Sequence, residues 1–183
     1  MANSLEAIWN VLAKGVDNLN EPKSPLHIGE VMDCWTYVTA LGEFIRYEEI
    51  CLNTTTDSEC REMLVGAIKM CENQSARLSE FMKKEGIPLP EVTAPKPNSE
   101  PNAIPLGVKF TDDEIANGVT LKLTNAMMLS SKGQVDAIRS DLGIMWVKFH
   151  LEMVTFGTTL KSLMLKRGWL KVPPYYYPPG QPS

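Results

Sequence analysis

Along four long stretches of this chain apolar side chains return every three or four residues, and glycine, proline and small polar residues interrupt the pattern between them. In the first stretch His27, Val31, Cys34, Val38, Leu41, Ile45 and Leu52 alternate by four and three, broken only by Glu48. That spacing lines one face of a helix, and Ser24-Pro25 ahead of it reads as an N-cap with proline at the first helical position. The second stretch carries Cys60, Leu64, Ala67, Cys71, Gln74, Leu78 and Phe81 on one seam and ends at Gly86, just before Ile87-Pro88-Leu89-Pro90. A capping box, Thr111-Asp112-Asp113-Glu114, opens the third, which continues through Ile115, Val119, Leu123, Ala126 and Met127. Gly133 is read as the break before the fourth stretch: Val135, Ile138, Leu142, Met145, Phe149, Met153, Phe156, Leu160 and Leu163, closed by Lys166-Arg167-Gly168.

The connections set the order of these helices. Asn53 to Ser58 are turn and cap formers, which predicts a tight antiparallel return. Residues 87–110 hold six prolines, too many for a helix or a central strand, and are long enough to cross from one end of a bundle to the other; a flexible linker between two hairpins is the alternative. The prediction is an all-α protein whose core is an antiparallel four-helix bundle. A short amphipathic helix (Leu5, Ile8, Trp9, Leu12, Val16) and its linker fill residues 1–22, the bundle domain spans 23–172, and a Pro/Tyr-rich tail covers 173–183. The tail tyrosines Tyr175, Tyr176 and Tyr177 are expected to lie against the bundle; the alternative is a polyproline-like ligand for a partner's aromatic groove.

Composition narrows the function classes. A net charge of −4 over 183 residues offers no basic stripe, so nucleic acid is not expected as a partner. No basic-then-apolar leader follows Met1 and no run approaches the ~20 apolar residues of a membrane span, so a cytoplasmic location is expected. Cys34, Cys51, Cys60 and Cys71 form no CxxC pair and read as reduced, buried thiols; Cys51 and Cys60, flanking one turn, are the pair that oxidation would bring together.

The segments Leu26-His27-Ile28-Gly29-Glu30-Val31-Met32-Asp33-Cys34-Trp35, Phe81-Met82-Lys83-Lys84-Glu85-Gly86-Ile87-Pro88-Leu89-Pro90, Phe110-Thr111-Asp112-Asp113-Glu114 and Lys166-Arg167-Gly168-Trp169-Leu170-Lys171-Val172-Pro173-Pro174-Tyr175 together resemble domain of unknown function 3231, a family of spore-forming Gram-positive bacteria. The resemblance spans Leu26 to Pro178. It implies a ferritin-like four-helix bundle, often in tandem copies and sometimes likened to spore coat proteins, and it implies no established activity. Only one copy is visible in this chain, so a homodimer is an expected assembly, with spore proteins as further partners.

A ferritin-type dinuclear site draws a Glu from each of two helices and Glu-x-x-His from each of the other two. Glu30 lies seven residues before Tyr37 on one face, with His27 a turn earlier, which makes His27 and Glu30 the candidate metal ligands. The rest of the set is incomplete: Glu72-Asn73-Gln74-Ser75 has serine at the imidazole position, and His150 follows Val147 rather than a carboxylate. The competing assignment has His27 capping the helix while Glu30 hydrogen-bonds a buried Tyr or Trp, and Glu48 is expected to reach solvent or pair with a cation. With two histidines, no nucleophile motif and no phosphate loop, no enzyme chemistry and no cofactor are expected. The favoured function is a non-enzymatic structural or interaction protein, spore-associated. The alternatives are a ferritin-like protein binding iron, manganese or zinc at a degenerate site, and a small-molecule carrier with a pocket enclosed by Trp35, Tyr37, Phe44 and Trp146.

Overall fold

The computed structural model describes residues 23–180. Four long helices account for most of them: α1 (Ile28–Leu52), α2 (Ser58–Lys84), α3 (Asp112–Asp136) and α4 (Ser140–Arg167), with a single 3-10 turn at Pro101–Ala103. The N-terminal helix expected at Leu5 to Val16 lies outside the described residues.

Neighbouring helices run antiparallel, as their end-to-end contacts require. His27, before α1, meets Asp136 at the close of α3. Arg139, before α4, meets Glu85 just past α2. At the opposite end Glu59 of α2 meets Lys166 of α4. Between α2 and α3 the proline-rich connection climbs the full length of α1. Thr93 donates to Glu43, the Lys96 amide to Glu49 and the Ser99 amide to Asn53, while Asn53 donates to the Pro97 carbonyl. The crossover is therefore a strap hydrogen-bonded to α1 and not a free linker.

The seams bury as the periodicity demands. Every residue of the α2 seam is buried, as are Cys34, Val38, Leu41 and Ile45 of α1 and Leu142, Phe149, Met153 and Leu160 of α4. Gly86 and Gly168 adopt φ values of 74° and 70°. Both end a helix with the amide of the following residue returning to a carbonyl of the last turn, Ile87 to Met82 and Trp169 to Met164, the left-handed ending that glycine permits without strain.

Four local expectations are corrected. First, α1 is capped by His27, not Ser24: the imidazole accepts the Gly29 and Glu30 amides, and Glu30 completes a capping box. Second, Gly133 is no break. It is buried within α3, and a Cβ there would stand 2.5 Å from Trp146 Cε2, so the glycine lets the α4 indole press on the α3 backbone. The turn instead falls at residues 137–139, which leaves Val135 and Ile138 exposed rather than on the α4 seam. Third, Tyr175, Tyr176 and Tyr177 do not rest on the bundle; all are exposed, Tyr176 at 82%. Fourth, Glu48 does not reach solvent: it lies 2% exposed in the core, with Lys122 as the cation whose charge acts on it.

Candidate functional site

The two candidate ligands sit together where three helix ends meet, and the sequence fixes how. Glu30 occupies the third helical position of α1, where its carboxylate folds back onto the His27 amide through Oε2 at 3.1 Å. Its other oxygen, Oε1, accepts the backbone amides of Ile138 at 2.8 Å and Arg139 at 2.9 Å, the unpaired donors just ahead of α4. On His27, Nδ1 accepts the Gly29 amide at 3.0 Å. Nε2 stands 3.0 Å from the Asp136 carbonyl oxygen, which accepts only if that nitrogen carries the proton. The pair therefore pins the start of α1 to the end of α3 and the approach to α4.

Salt bridges surround this pin. Lys132 bridges Asp33 and Asp136, and the buried Arg139 side chain forks onto both Glu85 and Asp141. The Arg139 guanidinium also lies 5.3 Å from the centre of the Phe81 ring. A metal at His27 and Glu30 would have to displace backbone amides from the carboxylate and from Nδ1. Both side chains are engaged as acceptors of backbone amides at helix ends. Among the described residues no three His, Cys, Asp or Glu side chains converge as a metal site requires.

Tyr37, placed by periodicity on the same face as Glu30, turns to a different partner. Its hydroxyl donates to Gln74 Oε1 at 2.7 Å, and Gln74 in turn donates to Glu152 at 2.9 Å, which Arg77 holds at 2.6 Å. Burial pushes the Tyr37 phenol well above its ordinary range, so it stays protonated and a donor. Its ring stacks on Phe149 at 5.7 Å and meets Trp146 edge-on at 5.1 Å. This polar layer crosses α1, α2 and α4. Sequence reading found Tyr37 and Gln74 but missed Glu152 and Arg77, whose exposed-face positions gave no sign of reaching inward. His150 is separate from both clusters, with Nδ1 at 3.1 Å from the Ser130 hydroxyl.

A third polar group has no such partner. Glu48 Oε2 is buried without a hydrogen bond, beside a cavity of about 10 Å³ shared with Cys71, Gln74 and Lys122, room for roughly one water. Burial raises its carboxyl to about 8, against the opposing pull of Lys122, so the group is largely neutral at pH 7. The Lys122 ammonium lies over the rings of Phe44 and Tyr47, at 4.6 and 4.2 Å. Trp35 faces outward, 41% exposed, while Tyr37 and Trp146 are packed into each other. The aromatic residues named for a carrier therefore enclose no common pocket.

Residues 14–181 match the family described as protein of unknown function DUF3231. The chain belongs to that family. A relative, the uncharacterised protein YvdQ of Bacillus subtilis (strain 168), is 28% identical over 162 residues, covering 88% of this chain and 95% of YvdQ. A crystal structure from Bacillus halodurans C-125, of a protein described as a candidate spore coat protein, superposes with a TM-score of 0.82 at 28% identity. The match covers 85% of this chain and 98% of that one, so the all-helical architecture is shared over most of both chains.

Proposed function

We propose that this DUF3231 chain is a non-enzymatic structural or interaction protein of a spore-forming bacterium, made in the cytoplasm and associated with the spore. The observation that carries the reading is the likeness, over 85% of this chain, to the Bacillus halodurans candidate spore coat protein. The engagement of His27 and Glu30 in helix capping supports the non-enzymatic part, because both residues are committed to holding helix ends together. The long crossover after the second helix is the connection that ferritin-like bundles use, and on this reading the fold is kept without ferritin chemistry. No helix among the described residues is long and apolar enough to cross a membrane, which suits a protein deposited on a surface rather than threaded through one.

Self-association belongs to the same reading. Ile28, Met32 and Trp35 on α1 stand exposed beside Ile87 and Pro88, forming an apolar hollow of about 290 Å³ that a second copy would cover. The test is fractionation of sporulating cells of the species that encodes the chain. Recovery in the detergent-extracted coat fraction of purified spores is expected, and confinement to the vegetative cytosol would overturn the reading. Light scattering at micromolar concentration addresses the homodimer separately.

A further inference from the structure

Beyond α4 the chain is held at its root and then released. Trp169 and Leu170 pack against the same buried cluster as Leu52, the Trp169 carbonyl accepts the Asn117 side-chain amide, and Lys171 pairs with Asp113. From Val172 to Gly180 every residue is exposed. This stretch sets Tyr175, Tyr176 and Tyr177 between Pro173-Pro174 and Pro178-Pro179. Prolines fix their own φ and restrict the residue before them, so the segment is extended ahead of any contact and loses little freedom on docking. Its phenol rings carry apolar area that the described bundle leaves uncovered.

A surface that suits it lies at the other end of the molecule. The hollow of Ile28, Val31, Met32, Trp35, Ile87 and Pro88 is apolar throughout and holds an exposed indole, the kind of lining by which proline-rich segments are recognised. The larger hollow between α2 and α4 is rimmed instead by Glu59, Glu62 and Lys166. The tyrosines cannot reach the indole of their own chain. Trp35 lies about 26 Å along α1 from Leu52, whereas Tyr177 extends at most about 22 Å beyond Lys171. Occupancy by this tail therefore requires a second copy, set antiparallel so that the tail of each chain meets the hollow of the other.

The area involved favours a reciprocal pair. An extended proline-type helix turns every three residues, so two of the three tyrosines face a groove at once. At about 150–250 Å² each, they and the wall opposite bury on the order of 600–1,000 Å² per contact. One contact falls short of a standard interface, while two together reach about 1,200–2,000 Å², its usual range. Twofold symmetry supplies the second contact.

We infer that the tail Pro173–Pro179 of each chain docks in the Trp35 hollow of a second copy, forming a reciprocal antiparallel dimer. This rests on the self-association reading, which it sharpens by naming both surfaces, and it owes nothing to spore association.

Sedimentation velocity on full-length chains tests it. The unmodified chain is expected to dimerise at micromolar concentration. A tail variant carrying Tyr175→Ser, Tyr176→Ser and Tyr177→Ser, and a hollow variant carrying Met32→Glu and Trp35→Ala, should each dimerise at least about a hundredfold more weakly, with circular dichroism confirming the folded bundle. An equal mixture of the two variants keeps one intact tail and one intact hollow, so it should pair one-to-one at least about tenfold more tightly than either variant pairs with itself. A tail variant that dimerises as tightly as the unmodified chain would overturn the inference and leave self-association to another surface. A mixture that pairs no better than its components would also overturn it. An unmodified chain that stays monomeric to about 1 mM would overturn both this inference and the self-association reading.

Discussion

The carboxylate of Glu30 accepts the backbone amide of Arg139 at 2.9 Å, joining the first turn of α1 to a residue 109 positions away at the entry to α4. The Ile138 amide shares the same oxygen, so one buried side chain satisfies two donors that nothing else in the fold reaches. Removing it leaves both amides unpaired in a site where Glu30 itself is 1% exposed. Glu30→Ala is expected to lower the unfolding free energy by about 2–4 kcal/mol and His27→Ala by about 1–2 kcal/mol, as chemical denaturation will measure. Equal and negligible losses would contradict the capping role.

The Tyr37 to Gln74 hydrogen bond supplies a coupling measurement. Tyr37→Phe leaves Gln74 Oε1 without its 2.7 Å donor, at an expected cost of about 1–2 kcal/mol. A double-mutant cycle with Gln74→Leu should return a coupling of about 1 kcal/mol, because the second substitution removes the group left unsatisfied by the first. Strict additivity would mean that the two side chains do not share the bond.

Glu48 predicts an unusual pH dependence. Its folded carboxyl is raised by burial from 4.5 to about 8, so between those values the folded chain holds a proton that the unfolded chain has released. Stability must then fall as pH rises through this window, with the full contribution present below about 4.5 and lost above about 8. Glu48→Gln removes the titration. Relative to the unmodified protein the variant should gain about 2–4 kcal/mol between pH 5 and pH 9, read from urea midpoints at the two pH values. A difference that is flat across that range would contradict a buried, neutral Glu48.

The thiols should be silent in the native state. Burial raises Cys34 and Cys60 to about 12 and Cys51 to about 11, and holds Cys71 well above its ordinary value. Labelling with an aromatic disulfide reagent is expected to proceed only at the rate of unfolding, and all four cysteines should react together in denaturant. Fast labelling of one cysteine in native buffer would place it at the surface.

What the sequence made legible was whatever depends on local periodicity. The α2 seam from Cys60 to Phe81 is buried throughout, and the Thr111–Glu114 box caps α3 as its spacing requires. What it concealed depends on partners far along the chain. Gly133 looks like a turn residue until Trp146 is seen pressed against it. Glu48 looks solvated by composition yet faces inward, because it continues the seam of Leu41 and Ile45 at helical spacing. The candidate pair illustrates both limits. Helical spacing put His27 and Glu30 together and left His27 as a candidate cap, but Glu30 accepts the Ile138 and Arg139 amides rather than a Tyr or Trp, and no local pattern connects it to those residues.

The central claim is that the imidazole and carboxylate at the foot of α1 hold helix ends rather than an ion, and metal stoichiometry tests it most directly. Protein purified without an affinity tag, equilibrated with iron, manganese and zinc and then desalted, should retain less than about a tenth of an equivalent by mass spectrometry. Retention of near one equivalent of any of these metals, abolished by His27→Ala or Glu30→Gln, would contradict the account.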